Sequence, residues 1–127
     1  LVARREIIQA DRQRARQAFE RLVYHVDPRV RLDAVGGLSV VTRSPDVFCR
    51  LLLSDSDERV RYTAAMAIEP RTTSSIQALV QALDDPSDKV VQMAAASLGS
   101  VGSPEITAHL RKLLSHDSAD VVDWVHE

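Results

Sequence analysis

Four histidines, His25, His109, His116 and His126, and one cysteine, Cys49, are the side chains of this chain best suited to hold a metal or attack a carbonyl. A metal site built on one helix sets two histidines four residues apart so that both imidazoles reach the same ion. No two histidines stand at that spacing. Cys49 lies among Val47, Phe48 and Leu51, surroundings that suit a small buried hydrophobe better than a thiolate. A lone cysteine makes no internal disulfide, which fits a reducing compartment and a cytoplasmic location. There is no Gly-rich phosphate loop, no Gly-x-Ser-x-Gly elbow and no cysteine pair. The chain therefore reads as a non-enzyme, with no catalytic residue, no metal and no cofactor expected.

What recurs instead is recognition chemistry: cations beside apolar and aromatic residues. Asp57-Glu58-Arg59-Val60-Arg61-Tyr62, running on to Ala64, Met66 and Ile68, has a near-copy thirty residues upstream, starting Asp27-Pro28-Arg29-Val30-Arg31-Leu32. A second copy starts thirty residues downstream at Ser87-Asp88-Lys89-Val90, and a worn fourth begins at Ser118. Self-similarity at such a period marks a stacked-repeat architecture.

Each copy opens like a helix. Asp27, Asp57, Ser87 and Ser118 are good capping residues, and Pro28 suits a first helical position, where its missing N–H costs nothing. Between the copies a second kind of helix is expected. Ser44-Pro45-Asp46 opens one through Val47, Phe48, Leu51, Leu52 and Leu53. Thr73-Ser74-Ser75 opens the next, with Ile76, Leu79, Val80 and Leu83 on one face. Ser103-Pro104-Glu105 opens a third. Upstream, Ala15, Ala18, Phe19, Leu22, Val23 and Val26 recur at helical spacing, and one long helix from the start is the preferred reading. Gly36-Gly37 is a defect in the first copy, explained by close packing or an early end. No helix pair of this kind buries its apolar side alone, so the fold class is all-α, a solenoid. The domain is single over 1–127, with repeats near 12–40, 44–69, 73–100 and 103–127 and a helical extension over 1–11.

Composition agrees: the apolar residues are mainly Ala, Val and Leu, with few aromatics and four glycines among 127 residues. No stretch is apolar enough to span a membrane, and the charged start argues against a secretory signal. A first residue other than Met makes a larger parent protein an expectation. Residues 1–31 carry +4 and residues 84–127 carry −5. These read first as solvated helix faces; such a dipole would also steer an extended partner or favour head-to-tail self-association.

The pattern Asp, Val-Arg, Ala, Leu or Ile, seen as Asp27/Val30-Arg31/Ala34/Leu38 and Asp57/Val60-Arg61/Ala64/Ile68, resembles the HEAT-repeat family in the short form of phycobilisome-lyase repeats. The third copy has Ser87 and Val91 where Asp and Arg would stand. The resemblance covers about residues 12–127 and implies a right-handed stack of about four helix pairs. It further implies a ladder between repeats, with Asp27, Arg31, Asp57 and Arg61 as structural, mostly buried charges that stop after the second repeat. Some similar enzymes, the deoxyhypusine hydroxylases, bind iron through His-Glu pairs; here only His126-Glu127 makes one.

In that family the Val-Arg helices line the concave side, where solenoids bind. The exposed rows are then Arg29–Arg59–Lys89–Asp120, Leu32–Tyr62–Gln92–Asp123, Asp33–Thr63–Met93–Trp124 and Gly36–Met66–Ala96–Glu127. Arg29, Leu32, Arg59, Tyr62, Met66, Lys89, Met93 and Trp124 form the candidate binding ridge, since Met and aromatic residues adapt to a bound peptide. The expected function is a protein-interaction scaffold binding an acidic and apolar segment, in competition with burial of the same side chains between repeats. Alternatives are a bilin lyase-like or chaperone-like subunit, or a nucleic-acid-binding HEAT-like protein using the arginines of segment 4–31. The acidic C-terminal half argues against nucleic acid.

Overall fold

The computed structural model describes residues 2–42 and 44–102, together with Pro104 and Ala108. Among the described residues there are six α-helices and no strand: α1 (Val2–Leu22), α2 (Pro28–Val41), α3 (Asp46–Ser54), α4 (Glu58–Ala67), α5 (Thr73–Ala82) and α6 (Asp88–Gly99). The fourth copy, most of the helix expected from Ser103, and Trp124 lie outside them.

Consecutive helices pack in pairs, α1 on α2, α3 on α4 and α5 on α6, and the second members stack as a layer, α2 on α4 on α6. In the other layer α3 packs on α5. The α1–α3 seam is bridged by Tyr24, whose hydroxyl accepts a hydrogen bond from Arg50 and whose ring lies 5.7 Å from that guanidinium.

The thirty-residue register of the sequence becomes a register of burial in the α2–α4–α6 layer. Ala34, Ala64 and Ala94 are buried, as are Val35, Ala65 and Ala95, and Leu38, Ile68 and Leu98. Alanine throughout the first column, and at Ala65 and Ala95 in the second, lets the helix backbones approach closely, and the third column fills the space between them. Val60 and Val90 are buried, while Val30, in the first pair of the stack, is only half-buried.

Helix starts follow local chemistry. Asp27 and Asp57 accept from the N–H groups of Arg29 and Arg59 at 2.9 and 2.8 Å, satisfying amides the helix itself leaves open. Three caps differ from expectation. Pro45, not Ser44, is the cap residue of α3, in helical conformation and without a side-chain cap. Helix α5 begins at Thr73 as expected, but its cap residue is Thr72, one position earlier, paired reciprocally with the buried Ser75. Ser87 makes no side-chain cap hydrogen bond in α6. On the outer helices, Leu53 is exposed and Ile76 and Val80 are only half-buried, whereas Ala78 and Ala82 are in the core.

Helix α2 runs through Gly36 and Gly37 without ending. A Cβ at Gly37 would overlap the Phe19 ring of α1, while one at Gly36 would meet nothing. Gly37 is thus the close approach that lets α1 dock on α2. Gly36→Ala should raise the unfolding free energy by up to about 1 kcal/mol through helix propensity. Gly37→Ala should lower it despite the same propensity gain, and Phe19→Leu should relieve part of that loss. Thermal melts of the four proteins check this; stabilisation by both alanines would contradict the packing.

Candidate functional site

The charges of the Val-Arg helices divide into two sets. Arg31 and Arg61 turn inward and bridge successive pairs. Arg31 donates through Nε and Nη2 to Asp55 at 2.9 and 3.0 Å, and Arg61 makes the same fork to Asp85 at 2.9 and 3.2 Å. Both ion pairs are largely covered, with side-chain exposures of 12% and 4% in the first and 13% and 8% in the second. The remaining guanidinium nitrogen of Arg31 donates to the carbonyls of His25 and Val26, and that of Arg61 to the carbonyl of Asp55. Asp55 and Asp85 also accept from the N–H groups of Asp57 and Ser87. The Asp55 carboxylate holds the Arg31 pKa above its ordinary value.

Asp27 and Asp57 are not the acceptors of this inter-repeat ladder; they cap their own helices and pair locally. The signal for the true acceptors was Asp55 and Asp85 themselves, repeated at the same thirty-residue interval two residues before each cap position. His25 holds that place in the first turn, and its Nδ1 accepts from the N–H of Asp27 at 3.0 Å.

The second set faces outward. Leu32 from α2, Glu58, Arg59, Tyr62 and Thr63 from α4, and Lys89 and Gln92 from α6 line a groove of about 500 Å³ across the three helices. Four of the expected ridge residues, Leu32, Arg59, Tyr62 and Lys89, therefore meet in one place. Arg29 is exposed but does not line the groove, Met66 stands exposed on α4 outside it, and Met93 is half-buried against the core. Thr63 and Gln92, which stood in the exposed rows but not in the ridge, line the groove as well, and Glu58, one turn before Tyr62, is the residue no row contained.

The cations of the groove row are not equivalent. Arg29 is drawn back onto Asp27 at 3.2 Å and Arg59 onto Asp57 at 3.1 Å. Lys89 has no ion-pair partner among the described residues, and the cap residue of its helix is Ser87 rather than an aspartate. The Asp57 carboxyl is lowered from 3.8 to about 2, first by the Arg59 guanidinium and then by the Arg59 backbone N–H. Asp27 is lowered in the same way by Arg29. A carboxylate depressed in the folded state contributes stability that is complete above its unfolded pKa and lost as pH falls through the folded one. For Asp57 that window is about pH 4 down to 2. Asn still caps but does not titrate, so the melting temperature of Asp57→Asn should fall less steeply across that window than the parent's. Equal slopes would remove Asp57 as a source of the acid sensitivity.

Burial pushes the Cys49 thiol up, the wrong direction for a nucleophile at neutral pH. Among the described residues no group of three His, Cys, Asp or Glu side chains is placed to hold a metal ion, and no helix is long and apolar enough to cross a membrane.

A family model for HEAT repeats matches residues 45–125, more than half of the chain. Neither a curated protein nor a solved structure matches it.

Proposed function

The chain belongs to the HEAT-repeat family, whose members are generally protein-interaction scaffolds, and from that premise we propose that it is a non-enzymatic scaffold holding an extended protein segment across α2, α4 and α6. The observation that carries this reading is the groove itself. We take its floor to be the half-buried Leu32 and Tyr62 from adjacent repeats and its lip to be the exposed Glu58, Arg59 and Lys89. An apolar floor with a charged lip is how a peptide site combines affinity with orientation. Tyr62 supplies a large, rigid contact surface at little entropic cost, the property that makes tyrosine frequent at interface hot spots.

The test is site-specific crosslinking in extract of the source cell. A photoreactive amino acid at Thr63, in the groove, is compared with one at Gln77, exposed on α5. The expected result is a protein adduct at position 63 only, lost when Tyr62 is changed to Ala in a protein of unchanged helicity. Equal adducts at both positions, or none at 63, would remove the groove as the binding face. An adduct between two copies of this chain would reassign it to self-association.

A further inference from the structure

Resting on that reading of the groove, we propose that the bound segment adopts a polyproline II conformation and carries two apolar residues three positions apart, followed three positions further by an acidic residue. The apolar residues lie on Leu32 and Tyr62, and the acid meets Lys89.

The position of the acid follows from what the cations already touch. Three stand at one register, but two are engaged within their own repeats: Arg29 with Asp27 and Arg59 with Asp57. The third repeat has Ser87 at the cap, and its side chain bonds nothing there. Lys89 is left as the one groove cation without an ion-pair partner among the described residues. Glu58 reinforces the choice, because it lines the groove on α4, where an incoming carboxylate would meet a like charge. Asp88, next to Lys89 in the chain, is exposed and does not line the groove.

The spacing follows from the packing. Adjacent packed helices lie about 8–10 Å apart. A polyproline II chain has three residues per turn and rises about 3.1 Å per residue, so every third side chain returns to the same face after about 9 Å. A β-strand returns to one face every second residue, after about 6.6 Å, and falls out of step by the third helix. An α-helix needs about six residues for the same advance, at about 1.5 Å each. The conformation in step with α2, α4 and α6 is polyproline II.

The experiment is selection of a displayed random dodecapeptide library on the purified, immobilised chain, followed by affinity measurement on an enriched peptide. The expected motif is two apolar residues and one acid at successive intervals of three. Lys89→Gln should weaken the peptide by about fivefold, the range of an exposed ion pair, and Arg29→Gln by less than about twofold. Ser87→Asp should weaken it as well with Lys89 still in place, because it recreates the Asp-x-Asp of residues 55–57 and gives Lys89 the partner that Arg59 has. Peptides with apolar residues but no acidic preference, or with an interval of two, would overturn this inference and leave the groove reading intact. Equal losses for Arg29→Gln and Lys89→Gln would overturn the assignment to Lys89. Failure to enrich any peptide whose binding Tyr62→Ser abolishes would overturn the groove reading itself.

Discussion

Asp55→Ala should lower the unfolding free energy by about 3–5 kcal/mol, the usual cost of removing one member of a covered ion pair. The carboxylate does two things at once, and the backbone carbonyl of the same residue adds a third contact that alanine would keep. The carboxylate takes the fork of Arg31 and accepts the N–H of Asp57, while the carbonyl accepts from Arg61. Its loss leaves a guanidinium 12% exposed without an anion, and that uncompensated charge is the larger part of the cost. The companion measurements separate this from a generic effect of losing charge. Arg31→Met with Asp55→Leu should be much less damaging than Asp55→Ala alone, since both ions leave together. Asp57→Ala, whose partner Arg59 is 57% exposed, should be clearly milder than Asp55→Ala. Chemical denaturation of the three proteins checks the order; an equal or larger loss for Asp57→Ala would overturn the division into inward and outward charges.

Phe48→Ala should cost about 3–5 kcal/mol as well, and its structural consequence should be local. Phe48 is the largest fully buried side chain among the described residues, at 2% exposure. It sits on α3, a helix of only nine residues without a side-chain cap. A helix of that length is not stable alone; α3 exists because Phe48, Leu51 and Leu52 are packed under α4 and α5. Solenoid repeats contact mainly their neighbours, so damage spreads by one repeat at a time. Hydrogen exchange in Phe48→Ala should therefore accelerate first in α3, with α6 protected longer. Uniform acceleration from α1 to α6 would show that the described helices unfold as one unit instead.

The sequence by itself determined the class of the fold and the inner layer. The columns Ala34–Ala64–Ala94 and Leu38–Ile68–Leu98 are visible as a thirty-residue repeat because each inner helix meets the same neighbours, so the same side-chain volumes recur. The caps Asp27 and Asp57 were equally legible, since they act within two residues. The outer helices were less so. Leu53 is exposed and Ala78 buried, because α3 and α5 face different partners on their two sides and apolar spacing alone does not say which side is covered.

Only the tertiary structure decided how the charges divide. Asp27 and Asp57 can be read as caps, but nothing local shows that Asp55 rather than Asp57 crosses to the arginine of the neighbouring pair. The distinction arises when the turn before α4 lies against α2 and puts Asp55 within 3.0 Å of Arg31, twenty-four residues away. The groove has the same origin: Leu32, Tyr62 and Lys89 belong to three helices, and they share a surface only because the small alanine columns beneath them let those helices stack.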